Sequence, residues 1–193
     1  MHVVEDRLLA DVGSLGHPAR VVCIFETSAL PNRETAVPDA NVSLGVHLHR
    51  VIDPGNVGTV VRACGALGPA WLSLSPGCSD PLSAKGVRAS MGAVFRVPIE
   101  AGADVPDVGL RIALVPDASD PVWATDMTGP VVLVVGAERH GLPPEVVEQC
   151  DATCAIPRAD GAESLNAAQA ATLALYEAAR QRAAAQAESV KGG

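Results

Sequence analysis

The chain has 193 residues, a formal net charge of −8, 48% hydrophobic and only 3% aromatic residues. That apolar content excludes wholesale disorder and suffices for one well-buried domain, yet no apolar run reaches the roughly 18 residues that cross a bilayer, so no membrane association is expected. The opening MHVVEDRLL lacks the basic-then-apolar pattern of a secretory signal, and five irregularly spaced cysteines (Cys23, Cys64, Cys78, Cys150, Cys154) read as free thiols of a reducing cytoplasm.

In chain order, residues 3–12 have helical spacing and residues 20–25 that of a strand. Residues 27–41, rich in Pro, Asn, Ser and Thr, read as a linker. From residue 44 onward strands and helices alternate. A strand is expected over 46–52, a helix over 57–67 that stops at Gly68-Pro69, and a strand over 70–75. Ser79-Asp80-Pro81 opens a second helix with a capping side chain and a first-turn proline. Further strands are expected over 93–97, 111–115 and 131–135. The last is apolar throughout, as a central parallel strand covered on both faces must be. Pro143-Pro144 opens a short helix ending near Cys150, residues 152–156 form a sixth strand, and a long helix runs over 164–187 before the end frays. This alternation predicts an α/β fold with a mostly parallel sheet and helices on both faces.

Charge is unevenly spread. Within residues 47–97, Arg50, Arg62, Lys85, Arg88 and Arg96 face only Asp53 and Asp80, a local net charge of +3. The acidic whole argues against a general nucleic-acid coat. The basic stretch is either a local phosphate-binding patch or a solvated face.

Walker, dinucleotide-binding and G-x-S-x-G signatures are absent. His47-x-His49 and Cys150-x-x-x-Cys154 are too isolated for a metal site, so no metal is expected. Three loops at strand carboxyl ends, where open α/β sheets bind ligands, stand out. They are Asp53-Pro54-Gly55-Asn56, residues 136–141 (Gly-Ala-Glu-Arg-His-Gly), and residues 157–166, which feed an alanine-rich helix. Taken one at a time, Asn56 reads as a helix N-cap, Arg62 as a surface arginine, residues 136–141 as a turn, and Ser164 as a cap.

Together, in this order and spacing, the loops resemble the SpoU (TrmH) family of RNA ribose 2′-O-methyltransferases, within the SPOUT α/β-knot superfamily. Asn56, Gly58 and Arg62 meet its first motif, and Gly136, Glu138, Gly141 and Leu142 its second. Ile156, Pro157, Ser164, Leu165 and Asn166 meet its third. The match covers residues 44–182. Departures are Arg139, where many members have glycine, Ala168-Gln169 after Ser-Leu-Asn, and Cys64-Gly65 in place of a more polar pair after Arg62.

The resemblance implies a C-terminal trefoil knot and a homodimer whose site draws on both chains. It implies S-adenosylmethionine as cofactor, contacted by Gly136, Ile156 and Leu165, and RNA as substrate, ribosomal RNA ahead of transfer RNA. Arg62 would stabilise the developing ribose alkoxide or grip the adjacent phosphate. Asn56 would hold the ribose or orient Arg62, and Glu138 would pair with a cation or position the nucleotide. Ser164 and Asn166 would build the third loop around cofactor and target. Residues 1–41 would be the remnant of an N-terminal substrate-binding domain plus linker, 42–187 the methyltransferase domain, and 188–193 a flexible tail. A dimer-forming stripe is read along the last helix at Leu165, Ala168, Thr172, Leu175 and Ala179, with burial inside one chain as the alternative. Two rival classes stay open: a non-catalytic RNA-binding protein on the same fold, and an unrelated nucleotide-using α/β enzyme.

Overall fold

The computed structural model describes residues 22–31, 44–159, 161 and 164–191. The chain divides into two compact units, Met1–Leu30 and Pro31–Gly193. In the first, the described residues hold a single 3₁₀ turn, Thr27–Ala29, and residues 22–25 carry no strand. The helix expected over 3–12 and most of the expected linker lie outside the described residues.

The second unit is built on a six-stranded sheet. In chain order its elements are β1 (Leu44–His49), α1 (Pro54–Leu67), β2 (Ala70–Leu74), α2 (Ala84–Ser90), β3 (Ile99–Ala101), β4 (Leu110–Leu114), β5 (Val131–Gly136), α3 (Pro144–Val147), β6 (Ala152–Cys154) and α4 (Ala167–Lys191). The strand order is β3-β2-β1-β5-β4-β6, and every pairing is parallel. β1 and β5 lie side by side at the centre, with His49 level with Gly136. The chain order reverses direction between these two strands. That switch point opens a crevice at their carboxyl ends, the place where such sheets bind ligands.

The strand period of two sorts the core into two faces. Leu44, Val46 and Leu48 of β1 and Val131, Leu133 and Val135 of β5 join one large cluster with α1 and α4. Val132 and Val134 turn the other way, toward Trp71 and Val146 of the short α3. The two faces are thus covered unequally. α1 buries Val57, Val60, Val61 and Cys64, the i, i+3, i+4, i+7 set of one helical face. α4 buries Ala168, Ala171, Ala174, Leu175 and Ala178 in the same cluster. The stripe proposed for dimer contact is therefore largely the face by which α4 packs on its own sheet. Leu173 and Tyr176, on the opposite side, are exposed.

β1 ends at His49 rather than at residue 52, α1 starts at Pro54 rather than at residue 57, and three elements differ more from the sequence reading. Residues 93–97 are not a strand: Ala93–Phe95 is a 3₁₀ turn, and the third strand is Ile99–Ala101. Its buried residues are Ala93, Val94 and Val97, with Phe95 and Arg96 exposed, a helical rather than alternating pattern. α2 starts at Ala84 rather than near Pro81, because Ser83 caps it by accepting from the Gly86 amide at 3.2 Å. Asp80 instead closes a turn by accepting from the Leu82 amide at 2.8 Å. α4 begins later than expected and continues to Lys191, past the expected fraying point.

Candidate functional site

The three motif loops meet at the switch point. α1 starts straight after β1, and its cap is Asp53, whose carboxylate accepts from the Asn56 amide at 3.0 Å. The Lys85 ammonium lies 2.7 Å from the same carboxylate and holds its pKa below the ordinary value, with the Asn56 amide adding to the effect. Asn56 is thus not the cap that its position suggested, and its side chain is free for other partners. Its Nδ2 donates to Glu138 Oε1. Its Oδ1 accepts from Asn166 Nδ2 at 3.1 Å.

Asn166 in turn caps α4, its Oδ1 accepting from the amides of Ala168 at 2.9 Å and Gln169 at 3.3 Å. Gln169 Oε1 returns the bond by accepting from the Asn166 amide at 3.3 Å, closing a capping box. The cap is therefore Asn166 rather than Ser164. The polarity of the run follows from one end. A carboxylate only accepts, so Glu138 draws the amide nitrogen of Asn56, which turns the Asn56 oxygen toward Asn166. Asn166 is left with its oxygen aimed at the helix start. One hydrogen-bonded run, Glu138–Asn56–Asn166, joins residues 82 and 110 positions apart in sequence.

Beside this run lies a cavity of about 350 Å³. Leu114, Pro116, Leu142, Ile156 and Leu165 give it apolar walls, with Glu138, Arg139, His140, Arg158 and Ser164 as polar groups and Gly136 in its lining. It is the size of a small-molecule site, roughly 300–1,000 Å³, mostly apolar with a few polar groups that fix orientation. Those walls suit a purine, and the polar groups suit the ribose and amino-acid ends of S-adenosylmethionine. Gly136 is needed here for a steric reason, because a Cβ on it would overlap the backbone of Gly141 and Leu142 and force the second motif's turn apart. Gly58 of the first motif is also steric: a Cβ there would strike the Gly86 carbonyl, so it lets α1 and α2 pack closely.

Of the residues singled out from sequence, Gly136, Glu138, Ile156, Ser164 and Leu165 line this cavity, and Asn56 and Asn166 bind Glu138 in line. Arg62 is not brought to them. It is exposed on α1, about 120° around the helix from Asn56 by the ~100° turn per residue. It lines neither this cavity nor the neighbouring one, and has no ion pair or hydrogen bond among the described residues. The sequence reading missed Leu114, Val115 and Pro116. The available signal was a fourth apolar strand ending at a proline, the same strand-end pattern that marked the other three loops.

A second cavity, of about 730 Å³, shares the segment 137–141 as a wall and is also lined by His49, Arg50 and Ile52. His47 and His49 do share a sheet face, with ring centroids 6.4 Å apart. His47 is fully buried, with Nδ1 3.1 Å from Ser73 Oγ. Among the described residues no group of three or more His, Cys, Asp or Glu could hold a metal ion, and no helix is long and apolar enough to cross a membrane.

Comparison with known proteins places this geometry in context. The family model described as the SpoU rRNA Methylase family matches residues 43–176. An uncharacterised tRNA/rRNA methyltransferase of Synechocystis is 34% identical over 192 residues, covering 95% of this chain and 69% of the relative. The 23S rRNA (uridine(2479)-2′-O)-methyltransferase of Streptomyces viridochromogenes is 35% identical over 189 residues, 91% of this chain and 65% of the relative. The crystal structure of the SpoU methyltransferase AviRb from that organism, in complex with the cofactor AdoMet, superposes with a TM-score of 0.72 at 33% identity. It matches 80% of this chain and 66% of that one. The chain spans about two thirds of the length of these relatives.

Proposed function

Because the chain belongs to the SpoU rRNA methylase family, we propose that it transfers a methyl group from S-adenosylmethionine to a ribose 2′-hydroxyl of RNA, and that the RNA is ribosomal. The observation that carries this reading is the Glu138–Asn56–Asn166 run, which ties all three motif loops together beside an apolar cavity. A protein that merely bound RNA would have no use for that cavity. Ribosomal RNA is favoured by the Streptomyces relative, whose substrate is 23S rRNA.

S-adenosylmethionine supplies a methyl group already activated by its sulfonium. The chain's own residues then have two tasks, alignment and charge stabilisation. Gly136, Ile156 and Leu165, which line the first cavity, would hold the cofactor's adenine and ribose, and Ser164 would help build the third loop around it. Glu138 lies on the wall between the two cavities and, held by Asn56, keeps the second motif's turn in place for the target nucleotide. A guanidinium is a poor base but a strong planar donor to oxyanions. Arg62 therefore stabilises the alkoxide that develops as the hydroxyl loses its proton. Its exposed position away from its own cavity is supported best by a homodimer in which the Arg62 of one copy completes the site of the other. The C-terminal segment carrying Leu165 and Asn166 forms the family's trefoil knot in this reading.

Calorimetry on the purified chain tests the cofactor half of the proposal. S-adenosylmethionine or its demethylated product is expected to bind, and Leu165→Arg to abolish binding by placing a charge against the apolar walls. No heat at millimolar ligand removes the proposal. Light scattering at about twice the chain mass is expected; a monomer that still methylates RNA rules out the shared site.

A further inference from the structure

The second cavity opens at the carboxyl end of β1 and is separated from the first only by residues 137–141. Its charge is unlike that of the chain around it. In a molecule of net charge −8, it is lined by Arg50 and Arg139, with His49 and His140 beside them. The single carboxylate in its lining is Glu138, already engaged by Asn56. Both arginines are exposed and have no ion pair among the described residues. His49, also in the lining, has its Nε2 buried and unpartnered among the described residues.

Arg50 is held in place by its backbone. Among the described residues it is one of two non-glycine residues with positive φ, at 53°, a conformation that L side chains adopt rarely and at a cost. Its amide donates to Ser75 Oγ at 3.0 Å, and its side-chain stem lies over Gly77, with Cγ 3.7 Å from where a Cβ on that glycine would sit. The chain thus leaves β1 in a left-handed turn, and Arg50 lines the second cavity from that turn. Arg139 reaches the same cavity from the second motif's turn on the other side.

Two arginines lining one cavity suit a phosphodiester, the anion that their planar donor forks match. Resting on the methyltransferase reading, we infer that this cavity seats the nucleotide next to the methylated one, with Arg50 and Arg139 gripping the phosphate that joins the two. The exposed Ile52 edge gives its base or sugar an apolar contact. The pair fixes the register of the strand, so that the target ribose faces the shared wall. Of the two, Arg139 also lines the first cavity, whereas Arg50 lines the second alone.

The test uses the full chain and fluorescein-labelled fragments of bacterial ribosomal RNA, titrated by anisotropy at several salt concentrations. S-adenosylmethionine binding is measured separately by calorimetry and folding by circular dichroism. Arg50→Ala and Arg139→Ala are each expected to weaken RNA binding about five- to tenfold and to lower the salt slope by about one ion. Cofactor affinity should stay within twofold for Arg50→Ala. Arg50→Lys and Arg139→Lys should keep the salt slope and lose part of the affinity. A folded double alanine variant with wild-type RNA affinity and slope overturns the inference. So does wild-type protein that binds none of the RNA, or an Arg50→Ala variant that loses cofactor rather than RNA. Failure of the methyltransferase reading shows separately, as absence of cofactor binding in the wild type, and the RNA titration still decides for or against the phosphate grip.

Discussion

Replacing Asn56 by alanine removes the centre of the run that joins the three loops. Two hydrogen bonds are lost. One goes to a carboxylate, a class worth about 1.5–3 kcal/mol, and one is amide to amide, worth about 0.5–1.5 kcal/mol. Both are half-buried, so water recovers part of each, and the low end of both ranges applies. Alanine is also a better helix residue than asparagine by roughly 0.5 kcal/mol, and the site is the third residue of α1. The expected net destabilisation is about 1–2 kcal/mol. No hydrophobic contact is lost, so this figure isolates the polar run. Because Glu138 lines the first cavity, slackening its loop should, on the proposed function, also weaken S-adenosylmethionine binding several-fold. Asn56→Asp keeps the shape and should be worse, since it sets a second carboxylate against Glu138. Urea denaturation of Asn56→Ala, Asn166→Ala and the double variant gives the coupling, expected near 1 kcal/mol for residues in one network. Additive single effects, or an Asn56→Ala protein with unchanged stability and cofactor affinity, would refute the reasoning.

Burial pushes the His47 pKa down from 6.5 to about 4, and His49 adds to the shift. The unfolded chain therefore takes up a proton between those values while the native chain does not, so stability is complete above pH 6.5 and falls as pH drops toward 4. A shift of that size is worth about 3 kcal/mol; in urea melts from pH 7 to 4, His47→Gln should lose markedly less stability than the wild type, and parallel curves would contradict this. Gly136→Ala should cost about 1–3 kcal/mol by overpacking a rigid backbone turn. It should also weaken cofactor binding at least tenfold, read by calorimetry, whereas unchanged affinity would show that the turn opens without cost. The Asp151 carboxyl is held at about 2 by hydrogen bonds from the Arg111 side chain and then its amide. Asp151→Asn should lower the melting temperature at neutral pH, with the difference from wild type shrinking as pH falls from about 4 toward 2.

The alternation of strands and helices was legible because strand and helix periods differ, and the uniformly apolar β5 announced its central place. The three motif loops were legible as strand ends carrying glycine, asparagine and acid. What the sequence did not reveal was decided by tertiary partners. Asp53 takes the capping role of α1 because Lys85, far along the chain, neutralises it, and that releases Asn56 for Glu138. Residues 93–97 looked like a strand from their β-branched and aromatic content, but sheet order gives the edge position to residues 99–101. Arg62 was grouped with Asn56 by the motif resemblance, yet six residues of helix carry it to a different face. The α4 stripe was legible as apolar but not as internal, since periodicity does not say whether the partner is one's own sheet or another chain.

The central claim is methyl transfer to a ribose hydroxyl with Arg62 acting on the transition state. The decisive measurement is single-turnover transfer of labelled methyl from S-adenosylmethionine to unmodified ribosomal RNA, with the product located by its resistance to alkaline cleavage. The wild type is expected to place the label on a 2′-hydroxyl. Folded Arg62→Ala should transfer on the order of a hundredfold more slowly at unchanged cofactor affinity, with little rescue by Arg62→Lys. Near-wild-type transfer by folded Arg62→Ala, or label that alkali shows to lie on a base, would contradict the account.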